Sequence, residues 1–140
     1  MMTDRELNAL VAERVMGLRN VRVYTGHEDL SREHICGEGI GAGFIYDRHY
    51  SDYGYEVCNV PDYCNDIAAA WRVALKIASM SGYGVTIHVG DEVWIEKTVE
   101  TDDGSNHLIT WQDVARVGTS EGDARAICLA ALKAVGVDAE

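Results

Sequence analysis

Between residues 85 and 117 the sequence alternates apolar and polar residues and breaks twice, a pattern that leaves few folds open. Val85, Ile87 and Val89 alternate with Thr86 and His88, Gly90-Asp91 makes a turn, and Val93, Ile95 and Lys97 begin a second run. Asp102-Asp103-Gly104-Ser105-Asn106 is a hairpin signal, and Leu108 to Val117 is the returning run. A period of two places alternate side chains on opposite faces, so these segments read as antiparallel strands of a meander.

Three stretches carry helical spacing and supply a cover for that sheet. In the first, Thr3 stands three residues before Glu6 in a capping box, and Leu7, Leu10, Val11, Val15 and Met16 share one face up to Gly17. The second follows Pro61, with Asp62 or Asn65 as expected cap and a stripe of Ile67, Ala70, Trp71, Ala74, Leu75 and Ala78. The third is expected from about Ser120 to Val135, capped by Thr119 or Ser120. Ala124, Ile127, Cys128, Ala131, Leu132 and Val135 line it, and Gly136 ends it. Three amphipathic helices on a mainly antiparallel sheet make an α+β fold, an α/β/α-type sandwich. With 140 residues, no repeat and no linker, the chain is expected to form a single domain over residues 1–140.

Residues 25–60 fit this scheme least well. Val21 to Tyr24 reads as a short strand. Then come alternating Gly37, Gly39, Gly41 and Gly43, a strand-like Phe44-Ile45-Tyr46, a loop with Tyr50, Tyr53 and Tyr55, and a short strand from Glu56 to Val60. The segment is expected to be an irregular excursion from the core, and loops with aromatic tips often carry function.

Charge narrows the function. Asp and Glu number 23 against 12 Lys and Arg, a formal −11. Gripping phosphates by counterion release needs the opposite sign, so direct binding to a broad stretch of nucleic acid is not expected. The opening MMTDRELNALVAERV carries acids where a secretory signal carries bases, and no apolar run approaches the roughly 20 residues that span a bilayer. The expected location is the cytoplasm of a host cell, without membrane contact. There the four cysteines (Cys36, Cys58, Cys64 and Cys128) stay reduced.

Three segments resemble a known family. Arg5-Glu6-Leu7-Asn8-Ala9-Leu10-Val11-Ala12-Glu13-Arg14-Val15-Met16-Gly17 is similar to the opening RELDALVAEKVMG helix of the phage ABA sandwich domain, found in small phage and prophage proteins. Val60-Pro61-Asp62-Tyr63-Cys64-Asn65-Asp66-Ile67-Ala68-Ala69-Ala70-Trp71 resembles that family's V-P-x-Y-S-T-D-I-x-A-A-W, with Cys64 and Asn65 in place of Ser-Thr. Ala126-Ile127-Cys128-Leu129-Ala130-Ala131-Leu132-Lys133-Ala134-Val135 resembles its closing A-I-C-x-A-A-L-x-A-V helix. The resemblance implies helices on both faces of a sheet and a phage origin, and brings no catalytic residues with it.

Several constellations compete for chemistry. The Gly37–Gly43 run has G-x-G spacing but lacks the G-K-[ST] ending and a following helix, and Glu38 repels phosphate. His34, Cys36, Cys58 and Cys64 offer zinc donors, without the two close pairs that usually anchor a site. Cys58 or Cys64 with His88 or His107 would be needed for nucleophilic catalysis, and nothing in their spacing brings them together. No cofactor or metal is expected, and the chain is read as non-catalytic.

The positive signal is acidic. From Gly90 to Asp123 stand Asp91, Glu92, Glu96, Glu100, Asp102, Asp103, Asp113, Glu121 and Asp123 against Lys97 and Arg116, −7 of the formal −11. Such a strip steers a basic partner, although charges also guard exposed strand edges. Tyr46, Tyr50, Tyr53, Tyr55 and Tyr63, with Arg48 and His49, offer rigid contact area or a stacking pocket. The expected partner surface is therefore Asp91, Glu92, Glu96, Glu100, Asp102 and Asp103 with Tyr50, Tyr53 and Tyr55. The leading expectation is a phage accessory protein that inhibits a host defence component, such as a basic nuclease of the CRISPR kind. The alternatives are a sponge for a nucleotide signal near the tyrosine loop, and a zinc-dependent or hydrolytic enzyme.

Overall fold

The structure is a computed structural model that describes residues 2–25, 33–38, 49–50, 56–102, 104 and 107–139. Among them the order is α1 (Asp4–Leu10), a π-helical turn (Val11–Val15), β1 (Arg19–Thr25), β2 (Glu33–Glu38), β3 (His49–Tyr50), β4 (Glu56–Asn59), α2 (Ile67–Ala78), β5 (Tyr83–His88), β6 (Glu92–Asp102), β7 (His107–Gly118) and α3 (Asp123–Ala134).

Helix α1 starts as its sequence dictates. The Glu6 N–H donates to Thr3 Oγ1 at 3.3 Å, and the Thr3 N–H donates to Glu6 Oε2 at 2.8 Å. These bonds to Thr3, the backbone one foremost, hold the Glu6 carboxyl below its ordinary pKa. Their contribution to stability is therefore present above the ordinary carboxylate range and fades as acid protonates Glu6. The helix widens into the π turn and closes at Gly17, whose φ of 77° is the left-handed conformation that glycine adopts without strain.

The sandwich of helices on an antiparallel sheet is as the periodicity implies. Strands β5, β6 and β7 form an antiparallel sheet in that order. Val93, Ile95, Ala115 and Val117 point from it into a core completed by Leu7, Val11, Val73, Ile77, Ile127 and Leu132. Helix α3 sits against both α2 and the long strands. Small side chains at Ala69, Ala70, Ala74, Ala124, Ala130 and Ala131 are buried and let these helices approach closely. Helices α2 and α3 pack on this face and α1 packs against α3, and among the described residues no helix lies on the opposite face of the sheet, called the open face.

Four local expectations are corrected. First, the residues 25–60, read as irregular apart from short strands, contain β4 where the strand from Glu56 was expected but also β2 and β3, and all three join β1 in a second antiparallel sheet of order β1-β2-β4-β3. Second, the stripe assigned to α2 is rotated. Ala69, Ala70, Val73, Ala74 and Ile77 face the core, whereas Ile67, Trp71 and Leu75 are about half exposed. Small residues win the inner face because α3 lies too close for a tryptophan. Third, Val89 belongs to the β5–β6 turn, not to a strand, and is 82 % exposed.

Fourth, both caps move. Asp66, not Asp62 or Asn65, caps α2, its Oδ1 accepting from the N–H groups of Ala68 at 3.0 Å and Ala69 at 3.4 Å. Helix α3 begins after Gly122 with no side-chain cap, because the expected candidates are otherwise engaged or too early. Thr119 donates its hydroxyl to the Asp91 carbonyl at 3.0 Å, and Asp123 accepts from the Gly90 N–H at 3.0 Å, pinning α3 to the β5–β6 turn. Asp66→Ala is expected to cost about 1 kcal/mol, the usual loss for a removed cap, read from the midpoint of urea unfolding. An unchanged midpoint would show that packing alone fixes the start of α2.

Candidate functional site

The even-numbered residues of β6 define the open face. Period two puts Glu92, Trp94, Glu96, Thr98, Glu100 and Asp102 together, away from the helices. Their cross-strand partners on β7 are Arg116 opposite Trp94, Asp113 opposite Glu96, Trp111 opposite Thr98 and Ile109 opposite Glu100. On β5, Gly84 lies opposite Glu96 and His88 opposite Glu92. Four of the nine expected partner-binding residues, Glu92, Glu96, Glu100 and Asp102, thus share one surface.

Of the other five, two stand on other elements and three lie outside the described residues. Asp91 lies in the turn before β6, where its carbonyl accepts from Thr119. Tyr50 is on β3 of the other sheet, and Asp103, Tyr53 and Tyr55 lie outside the described residues. Glu121 and Asp123 of the acidic strip also leave it, Glu121 for an ion pair with Arg125 at 2.7 Å and Asp123 for the Gly90 amide.

The residues that sequence reasoning missed are two tryptophans. Trp94 is partly buried beneath Arg116, whose guanidinium carbon sits 3.9 Å from the ring centroid, and beside His88, whose ring is 4.7 Å away and tilted by 54°. Carboxylates flank the same guanidinium, Glu92 at 3.7 Å and Asp113 at 3.9 Å. Trp111 reaches from β7 across β6 to β5. A Cβ placed on Gly84 would stand 3.2 and 3.3 Å from its Cζ3 and Cη2 atoms, so the missing side chain of Gly84 seats the indole. Trp111 is 57 % exposed. The available signal was positional: Trp94 shares the even register of Glu92 and Glu96.

A second hollow, of about 480 Å³, lies by the start of α3 and includes Arg116, Gly118, Ser120, Glu121, Arg125 and Leu129 in its lining. Its buried cation is already committed. Arg125 donates to Glu121 and Asp4 and, at 2.9 Å, to the Met2 carbonyl. Those bonds tie the start of α1 to the start of α3 and leave the arginine little capacity for a phosphate.

The cysteine and histidine candidates fall on both sheets and the helical core. Cys36 pairs with Asn59 and Cys58 with Gly37 along β2 and β4. Cys64 is buried in the helical core next to Cys128, whose thiol is pushed up by its hydrogen bond with Cys64 and then by burial, so it stays protonated. His88 lies across the sheet from them, on the open face. Among the described residues no three His, Cys, Asp or Glu side chains converge as metal donors, and no helix is long and apolar enough to cross a membrane. His34 is on β2, and the Gly39–Gly43 part of the glycine run lies outside the described residues.

No curated protein and no solved structure matches the chain. A family model does, over residues 9–132: the phage ABA sandwich domain. That span takes in the described helices from the end of α1 to most of α3, and the whole open sheet. With the match extending over most of its length, the chain belongs to the phage ABA sandwich domain family.

Proposed function

We propose that the protein works by binding, and that the open face of β5–β7 engages a basic surface of a host protein. The observation that carries this reading is the make-up of that face. Glu92, Glu96, Glu100, Asp102 and Asp113 stand on it around two indoles, with Arg116 as the one Lys or Arg among its described residues. A concentrated negative field on a face with no helix over it among the described residues attracts positive partners and steers their approach. Membership of a phage family makes a host defence factor the natural target. A nuclease is a strong candidate, since an acidic sheet competes for the positive channel that its nucleic acid occupies. The protein would then act in the host cytoplasm as a stoichiometric inhibitor, without a cofactor.

The nucleotide-sponge reading places its pocket near the tyrosine loop, of which Tyr53 and Tyr55 lie outside the described residues. The described hollow adds no support to it, since Arg125 there already serves two carboxylates.

The experiment is a pull-down from host lysate followed by affinity measurement on the captured protein. The triple variant Glu96→Lys, Glu100→Lys, Asp102→Lys is expected to weaken binding by at least tenfold. For the unaltered protein, raising salt from about 0.05 to 0.3 M should also weaken it. These side chains are exposed or partly exposed, so the variant should retain its circular dichroism. Capture that is indifferent to both charge reversal and salt would remove the open face from consideration.

A further inference from the structure

We infer that Trp111 is a receptor for an arginine side chain of the partner. The inference rests on the reading of the open face as the binding surface and specifies what that surface recognises. The protein contains its own template. At Trp94 a guanidinium lies flat over an indole, 3.9 Å from the ring centroid, while Glu92 and Asp113 hold its edge at 3.7 and 3.9 Å. Trp111 repeats the ingredients on the same face. Its indole is seated from below by Gly84, it faces Thr98 across the ladder, and Thr98 stands between Glu96 and Glu100 on β6. Asp113 is two residues along its own strand. Among the described residues the difference is the cation, because Arg116 is spent on Trp94 and Lys97 turns to the other face, over Tyr83.

Arginine suits the Trp111 platform better than lysine. A guanidinium is planar, weakly hydrated and able to stack while its in-plane N–H groups fork towards carboxylates. An ammonium is compact, strongly hydrated and satisfied by the carboxylates alone. A sugar stacks on an indole equally well, yet brings no positive charge to five carboxylates. The occupant is therefore an arginine-bearing segment of a protein.

The test uses two peptides of equal length and charge, one with arginines and one with lysines at the same positions. Each is titrated into the full chain at fixed ionic strength and followed by calorimetry. The arginine peptide is expected to bind roughly three- to thirtyfold more tightly, the range that one stacked cation supplies. Trp111→Ala should bring the arginine peptide down to the lysine level and leave the lysine peptide nearly unchanged, whereas Trp111→Phe should retain part of the preference. Thermal melts check that each variant is folded, as the exposure of this ring leads one to expect. Equal binding of both peptides overturns the arginine receptor and leaves the acidic-face reading standing. An arginine preference that survives Trp111→Ala also overturns it. Binding of neither peptide overturns both readings together. Trp111-dependent binding of a neutral oligosaccharide, without arginine preference, reassigns the platform to sugars.

Discussion

Leu132→Ala is expected to lower the free energy of unfolding by about 3–4 kcal/mol, the largest effect among single substitutions considered for this protein. Leu132 has no exposed surface and lies on α3, the helix that packs against α1, α2, β6 and β7 together. Truncation removes its transfer free energy and leaves a hole in the core. Helix α3 is held to the β5–β6 turn by the Gly90 N–H bond to Asp123, so it cannot easily shift to close over it. Urea unfolding should show a lower midpoint with an unchanged slope, and the melting temperature should fall by roughly 10 °C. A loss below about 1 kcal/mol would mean that the Ala-rich contact between α2 and α3 collapses readily.

Asn8→Ala comes second, at about 2–4 kcal/mol, although it deletes only a few atoms. The Asn8 amide is 93 % removed from solvent, its exposure being 7 %. Its Oδ1 accepts from the buried Cys64 N–H at 3.0 Å, and its Nδ2 donates to Asp62 Oδ1 at 2.9 Å. Alanine would leave that N–H without a partner, and an unpaired buried donor costs its full desolvation. The bond also organises the entry to α2. Asp62 accepts in turn from Asn65 Nδ2, which reaches Asp4 Oδ2 at 3.0 Å. Asn8→Asp is the informative companion, since it keeps an acceptor for Cys64 but places a carboxylate beside Asp62. It should destabilise chiefly above the carboxylate range, where both are charged. If Asn8→Ala unfolds at the wild-type urea concentration, the bridge contributes nothing net.

These two positions mark what the sequence discloses and what it withholds. Leu132 was legible, because a helix repeats its apolar positions at fixed spacing and Ile127, Cys128, Ala131 and Leu132 declare one face. The Thr3–Glu6 box and the hairpin at 102–106 were legible for the same local reason, and Gly104 does turn there with φ 87°. Asn8 was not, since its partners stand 54 and 56 residues away. The rotation of α2 was hidden too. Ile67, Trp71 and Leu75 stand with Arg72 and Lys76 on the outer side, so large apolar residues do not mark the inner one, and which side faces inward depends on the sequence-distant α3. At the site, the charge strip was visible as composition. What composition could not reveal is that β6 sorts its acids by parity, sending Glu92, Glu96, Glu100 and Asp102 outward with Trp94.

A single irregularity in β7 decides the rest. Trp111, Asp113, Ala115 and Val117 are all odd-numbered, yet the first pair faces outward and the second pair lies in the core. The ladder steps from Ile95–Ala115 to Glu96–Asp113, so Val114 is a supernumerary residue that reverses the phase of the strand. The strand therefore counts as well as spells. Dropping one residue here would swing the indole and its neighbouring carboxylate beneath the helices, leaving every letter of the platform in the chain and the platform itself gone.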